Sequence, residues 1–447
     1  MPREPLPAPA GQGQRAPVGV AEGGTYYIWT IGCQMNAADS LRLAEELEAR
    51  GYREVARPEE ADLVVLNTCV VRASAEDKAV GRLASLRPLK ERWPEKTLVV
   101  AGCLVGDGED LRRRFPWVDL FLPPSQWGEL LARLGPKPEG AAGLPLPPVS
   151  AFVPIAYGCD HLCTYCIVRL RRGPLRSRPL PEVREEVAGL VARGAREMVL
   201  LGQNVDAYGQ DLGDGTDLAR LLHAIHPIEG LWRIRFLTSH PADMQENLIQ
   251  AVATLSKVCE QFELPVQSGS DAVLRRMGRR YTVEDYRRLV EAIRERVPGA
   301  ALATDVIVGF PGETPAEFEE TLRLLAEVRF DVVHVAAYSP RPGTPAARFP
   351  DDVPLEEKER RRRAVEDLQE GIAREIHQRL LGQVVEVLVE DLHRGKWRGR
   401  TRTNKLVFLS DPRDLRDQLV LARITWTGPW SLQGEVVGRG PFHAPAA

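Results

Sequence analysis

The sequence predicts a multidomain α/β protein: an N-terminal doubly wound parallel sheet, a central open (β/α)6 partial barrel and a C-terminal small all-β barrel. Three observations carry this. Short, near-continuous apolar runs alternate with helical patterns over 25–134, as in parallel strands buried on both faces. Six further strand-then-helix units follow over 151–350, too few for a full eight-unit barrel. After 381 the helical period gives way to short alternating runs. At 447 residues, 44% hydrophobic, the chain is long enough for several domains, each with its own core.

Residues 1–24 are rich in Pro, Gly and Ala and read as a disordered tail. The strands expected next are 25–31, 62–66, 97–101 and 117–121, with helices over 40–50 and 75–92 between them. Each of the first three strands is followed within three residues by a cysteine: Cys33, Cys69 and Cys103. The carboxyl ends of parallel strands share one edge of an open sheet, where ligands bind. Three thiols far apart in sequence are therefore expected to converge, consistent with a three-thiolate iron–sulfur cluster. The alternative is three unrelated core cysteines, a common fate for this residue. Residues 135–150 hold many Pro and Gly and read as a linker.

The second region, 151–380, is expected to place strands at 152–155, 197–201, 233–237, 261–266, 301–308 and 332–338. Helices are expected at 181–193, 218–226, 246–255, 283–297 and 315–328, with a charged helix over 354–380. Directly after the first strand comes Cys159-Asp160-His161-Leu162-Cys163-Thr164-Tyr165-Cys166, a C-x3-C-x2-C run. A closed zinc site takes four protein ligands. Three clustered thiols suit a [4Fe-4S] cluster with one iron left open. The loop lies at the end of a barrel where active sites sit. Cys259 has no partner by spacing and reads as a structural thiol, and His161 is assigned no ligand role.

In the last region, 381–443, strands are expected at 384–389, 406–409, 419–421 and 434–436. Between the first two lies a segment with six basic residues and no acid: Arg394, Lys396, Arg398, Arg400, Arg402 and Lys405, with Trp397 among them. A basic loop with an aromatic on a small barrel suits a nucleic-acid backbone, and an ordinary solvated hairpin is the alternative. Net charge is −3, so no global basic character calls for nucleic acid. No apolar run approaches a membrane span and no charged-then-apolar leader is seen, so the expected location is cytoplasmic, with no membrane partner. In that reducing setting, metal binding or catalysis is the expected use of the seven cysteines.

These residues resemble the radical S-adenosylmethionine (SAM) enzymes, and within them the methylthiotransferases. The matching stretches are Gly32-Cys33-Gln34-Met35-Asn36, Asn67-Thr68-Cys69, Ala101-Gly102-Cys103 and Tyr157-Gly158-Cys159, then Leu264-Pro265-Val266-Gln267-Ser268-Gly269-Ser270 and the run 304–314. The segments 201–209 and 399–404 are similar to the MiaB-type branch, which modifies tRNA. Arg169-Leu170 stands where that branch commonly has Pro-Tyr, and Glu263 where a His is frequent.

The resemblance implies three parts: an auxiliary-cluster domain, a radical SAM partial barrel and a TRAM domain. It implies two [4Fe-4S] clusters, one held by Cys159, Cys163 and Cys166 and one by Cys33, Cys69 and Cys103. It implies that a methylthio group replaces hydrogen at C2 of an adenosine bearing a dimethylallyl group at N6, beside the tRNA anticodon. One SAM supplies the radical and a second the methyl group. Such a C–H bond lies beyond side-chain acid–base chemistry, so a cofactor must carry the step.

Residues expected near SAM or substrate are Gly202, Gln203, Asn204, Ser268, Arg178 and Asp305. Arg169, Arg171, Arg172 and Arg176 crowd the segment after the loop, and Tyr157 and Tyr165 are expected to pack around the cluster. Expected partners are tRNA, an electron donor such as flavodoxin or ferredoxin, and a sulfur or cluster carrier; nothing points beyond a monomer. Related branches act on a ribosomal-protein aspartate or on threonylcarbamoyl adenosine in tRNA. A non-catalytic iron–sulfur protein that binds RNA is the alternative of a different class.

Overall fold

The structure is a computed structural model and describes residues 23–71, 73–106, 109–137 and 146–440. All but the last two residues of the expected tail, and 138–145 of the expected linker, lie outside the described residues. The chain forms two compact units.

The first unit is a five-stranded sheet of β1 (Thr25–Thr30), β2 (Arg53–Glu54), β3 (Leu63–Thr68), β4 (Thr97–Gly102) and β5 (Leu120–Leu122). All pairs are parallel, in the order β2-β1-β3-β4-β5. The chain runs from β1 to one edge, then returns to the other side, which is the doubly wound pattern. Every residue of β3 and β4 is buried, as their unbroken apolar runs require. Leu63, Val65, Val99 and Ala101 pack with Leu43 and Leu47 of the helix Gln34–Glu48.

That helix starts six residues before the expected position, and Met35 and Ala38 in its added turns are buried. The expected helix 75–92 is two, Ala73–Ser85 and Arg87–Arg92. Pro88, without an N–H, sits in the first turn of the second, where no donor is needed.

The second unit carries β6 (Ser150–Pro154), the short antiparallel pair β7 (Ala156–Tyr157) and β8 (Arg176–Ser177), then β9 (Glu197–Leu201), β10 (Arg233–Phe236), β11 (Gln261–Glu263), β12 (Ala301–Val308) and β13 (Val332–Ala337). Parallel sheets β10-β9-β6 and β11-β12-β13 are joined by a parallel bridge from Ile234 to Val258. The six long strands thus run side by side in chain order, with no pairing between β6 and β13 among the described residues. This is the open partial barrel. The helices Val283–Arg296 and Pro315–Val328 begin with capping boxes, Thr282 with Asp285 and Thr314 with Glu317, which fix where each helix leaves its loop. β11 stops three residues short of its expected end. Pro265 cannot donate to a ladder, and Gln267 takes φ +72°.

The chain closes with a five-stranded barrel of β14 (Val384–His393), β15 (Lys396–Thr401), β16 (Leu406–Leu409), β17 (Leu419–Thr427) and β18 (Leu432–Arg439), in the order β14-β15-β16-β18-β17. The basic segment expected as a loop is mostly β15. Trp397, Gly399 and Thr401 point inward while Lys396, Arg398 and Arg400 alternate outward. The period of two was present but masked by the density of charge.

Two arginines of β10 fasten this barrel to the partial barrel. Arg233 donates to the Glu386 carboxylate at 2.7 Å and to the Arg400 carbonyl at 2.8 Å. Arg235 donates to Glu197 at 2.9 Å and to the carbonyls of Thr401 and Arg402, each at 2.6 Å. Ile234 and Phe236, alternating with them, face the partial-barrel core.

Candidate active site

In the first unit's sheet, Cys69 immediately follows β3 and Cys103 immediately follows β4. The Cys103 amide donates to the Thr68 carbonyl at 2.8 Å, continuing the ladder past the strand end. Gly102 takes φ +94°, and a Cβ there would lie 2.3 Å from the Thr68 carbonyl oxygen, so glycine is needed for Cys103 to turn. Cys33 lies three residues past β1, at the start of the helix Gln34–Glu48, and its carbonyl accepts from the amides of Asn36 and Ala37. The strands preceding the three thiols are adjacent in the sheet and end at the same edge.

In the second unit, Cys159, Cys163 and Cys166 lie in one loop after β7. All seven cysteines of the chain are thiols rather than disulfides. Gly158 opens the loop at φ +73°, and a Cβ there would sit 2.0 Å from the Pro174 carbonyl oxygen. The Gly158 amide donates to Gln203 Oε1 at 2.6 Å, and the Cys159 amide to the Gly173 carbonyl at 3.2 Å. Arg169 donates to the Cys159 carbonyl at 3.2 Å and to Asp160 at 2.6 Å.

The loop's middle is held by the turn after the helix Asp271–Arg276. The Thr164 amide donates to the Met277 carbonyl at 2.9 Å, and its hydroxyl to the Arg276 carbonyl at 2.8 Å. Burial pushes the Cys166 thiol up to about 12 and also raises Cys159. Such thiols ionise readily only when a metal takes the sulfur. Three reduced cysteines on one short, well-tethered loop fit a cluster with an open iron.

Three residues near the loop were not singled out by sequence reading: Asp243, His240 and Arg279. His161 pairs with Asp243 at 2.6 Å and stacks on His240, with ring centroids 3.6 Å apart. Asn204 donates to the same Asp243 carboxylate, so the loop and the β9 turn share one anchor. Burial and the nearby Arg279 guanidinium push His240 down to about 2, so its ring stays neutral. Arg279 is buried, and its Nη1 lies 3.6 Å from Cys163 Sγ. Nothing in the run Arg275-Arg276-Met277-Gly278-Arg279-Arg280 marks which arginine turns inward.

The remaining expected residues fall in distinct places. Gly202, Gln203 and Asn204 follow β9; Gln203 meets the loop directly and Asn204 through Asp243. Ser268 is fully buried, bonded to Thr321 at 3.3 Å and accepting from the Ser270 amide at 3.2 Å. Arg178 is held by the Pro154 carbonyl at 2.8 Å and by Glu182 and Glu186, each at 2.6 Å. Asp305 is half-buried on β12; burial, with the Asp305 charge added, pushes Glu263 up to about 7. Tyr165 packs edge-on against Phe310.

On the terminal barrel, Arg394 is exposed at the β14–β15 turn and Lys396 bonds Gln433 at 2.8 Å. Arg398 pairs with Asp391, Arg400 with Glu390 at 3.3 Å, and Arg402 with Glu260 at 2.7 Å.

Comparison with known proteins bears on each region. Residues 153–325 match the radical SAM superfamily, 25–123 the uncharacterized protein family UPF0004, and 378–437 the TRAM domain. A radical SAM methyltransferase, TsrM, from Kitasatospora setae, solved with cobalamin and a [4Fe-4S] cluster, shares the fold: TM-score 0.53 over 73% of this chain and 77% of that one, at 16% identity. A tRNA-2-methylthio-N(6)-dimethylallyladenosine synthase from Roseiflexus sp. (strain RS-1) is 52% identical, covering 94% of this chain and 93% of the relative. Proteins of the same name from Chloroflexus aurantiacus and Moorella thermoacetica are 51% and 44% identical, each over 92% of this chain and covering 91% and 98% of the relative. With this identity along nearly its whole length, and with the cysteine loop at the mouth of a partial barrel, the chain belongs to the tRNA-2-methylthio-N(6)-dimethylallyladenosine synthase family of radical SAM enzymes.

Proposed function

We propose that this chain replaces the C2 hydrogen of N6-dimethylallyladenosine, beside the tRNA anticodon, with a methylthio group. The reading is carried by the loop of Cys159, Cys163 and Cys166 after the first barrel strand, in a chain 52% identical to a synthase of that name. The cofactors are [4Fe-4S] clusters and SAM. Cys159, Cys163 and Cys166 would hold the loop's cluster, which would supply the electron for reductive cleavage of SAM and so the radical chemistry that a C–H bond requires.

The protein's own groups define where this happens. Cys159, Cys163 and Cys166 would be the three thiolate ligands of that cluster. Gln203 fixes the loop's first turn through Gly158, and Asn204 and Asp243 fix its middle through His161. Gly202, Gln203, Asn204, Ser268, Asp305 and Arg178 are the proposed surroundings of SAM. Cys33, Cys69 and Cys103 are the proposed ligands of the sulfur-donating cluster. The exposed Arg394, with Lys396, Arg398, Arg400 and Arg402, forms the proposed tRNA face, where phosphate contacts position without reading bases.

A low-potential donor such as flavodoxin or ferredoxin, a sulfur carrier, a monomeric state and a cytoplasmic location complete the proposal. Among the described residues no helix is long and apolar enough to cross a membrane.

The test is reconstitution with iron and sulfide, followed by incubation with dimethylallylated tRNA, SAM and reductant. Mass spectrometry should show the 2-methylthio nucleoside. Modification only of threonylcarbamoyl adenosine or of a ribosomal-protein aspartate, offered in parallel, would reassign the substrate. Absence of both 5′-deoxyadenosine and methylthio product would remove the enzymatic reading.

A further inference from the structure

We propose that Arg279 is the charge partner of the loop's iron–sulfur centre: acting through Cys163, it stabilises the negative charge gained on reduction and so raises the reduction potential. This rests on the reading of Cys159, Cys163 and Cys166 as ligands.

Arg279 is only 8% exposed. Its Nε donates to Tyr281 Oη at 2.8 Å, its Nη2 to the Pro265 carbonyl at 2.8 Å, and its Nη1 points at Cys163 Sγ at 3.6 Å. Among the described residues no carboxylate pairs with it. A guanidinium stays charged when buried, and a buried charge is strongly unfavourable without a counter-charge. Arg235 and Arg361, comparably buried, each have one: Glu197 at 2.9 Å and Glu313 at 2.8 Å.

The ionisable groups facing Arg279 are Tyr165, Tyr281, Tyr286, His240, Cys163 and Cys166. Cys163, 3.6 Å away, and Cys166 are the neighbours that become anions when they give their thiolates to iron. The placement is built in from both sides. The turn that delivers Arg279 also accepts hydrogen bonds from Thr164 of the loop, and Gly278, at φ +73°, lets the two chains approach: a Cβ there would lie 3.1 Å from the Leu162 carbonyl oxygen.

Net charge and hydrogen bonds to sulfur set the potentials of such clusters. One electron, from the low-potential donor the reaction already requires, makes the cluster more negative, and a fixed cation beside it favours that state.

The experiment uses the full chain with Cys33, Cys69 and Cys103 changed to Ala, so that one cluster reports. Its midpoint is measured by redox titration followed by electron paramagnetic resonance, with Arg279 intact and in R279Q and R279K. For R279Q the reduction equilibrium should weaken by roughly tenfold, about 59 mV more negative for one electron. For R279K the shift should have the same sign and be smaller. An unmoved midpoint in R279Q, or equal shifts in both variants, would overturn the proposal. Should R279Q not fold, R279K decides alone: its single ammonium sits differently from the guanidinium fork, so an unchanged midpoint overturns it. Failure of the parent to form any cluster sinks the cysteine assignment, and this inference with it; a formed cluster with an unmoved potential sinks this inference only.

Discussion

Arg233 and Arg235, at the junction with the terminal barrel, and Arg279, beneath the cysteine loop, are all buried but differently served. Arg233 pairs with Glu386, Arg235 with Glu197 and Arg402 with Glu260, at 2.7 to 2.9 Å. Lys405 adds a pair with Asp331 at 2.6 Å. Each cation at the junction has its carboxylate within the chain, so this region is electrically complete as folded. Arg279 meets a phenol, a carbonyl and a thiol. The junction is a device for holding two barrels together, whereas the loop's surroundings are complete only with an anion in place.

The sharpest way to break this contrast is to remove the loop's thiols. Changing Cys159, Cys163 and Cys166 together to Ala should halve the bound iron of the reconstituted chain and abolish 5′-deoxyadenosine formation, since no side chain substitutes for the cofactor. Iron assay and mass spectrometry check both. Iron that stays constant, or falls to zero, would contradict two independent three-cysteine sites.

The next effect is on stability and separates the two arginine environments directly. R235A leaves Glu197 buried without its partner and should destabilise the apoprotein by about 3–5 kcal/mol in urea unfolding. R279M orphans no carboxylate and should destabilise by less. Equal losses would mean that packing, rather than charge pairing, governs both places.

Much of this was legible in the sequence. The six barrel strands and the five helices between them follow from long periodic patterns, and the helix Pro315–Val328 begins and ends where its pattern does. Cys159, Cys163 and Cys166 were read from their C-x3-C-x2-C spacing, and Cys33, Cys69 and Cys103 from strand ends that share an edge. What escaped was depth. Arg178 and Arg279 each lie in arginine-rich segments, and only the fold shows the first held by Glu182 and Glu186 and the second by none. β15 escaped because its charges read as a loop, although Trp397, Gly399 and Thr401 alternate with them. His161 gave no signal because its partner, Asp243, is 82 residues away.

A smaller effect concerns Glu263, the carboxyl that burial and Asp305 push up from 4.5 to about 7. The folded state then holds a proton that the unfolded chain releases above 4.5. Stability is therefore lost as pH rises through that window and levels off above it, by at most about 3 kcal/mol. E263Q should remove this fall. Its urea midpoint should match the wild type near pH 4 and exceed it at pH 8. Parallel pH profiles for the two proteins would show that Glu263 ionises as readily in the fold as outside it.

The smallest expected effects distinguish structural from binding arginines on the terminal barrel. Arg402 is partly exposed and paired with Glu260, so R402A should lower stability by about 1 kcal/mol or less. Arg394 is exposed at a turn, with φ +51°. R394A should leave stability unchanged and weaken tRNA binding, reducing the slope of log affinity against log salt by about one for one lost phosphate contact. Binding measured across a salt series for both variants decides which cations face the nucleic acid. If R402A changed the slope and R394A did not, the Glu260 pair would have to open on binding, and the junction would take part in recognition instead of only holding the barrels together.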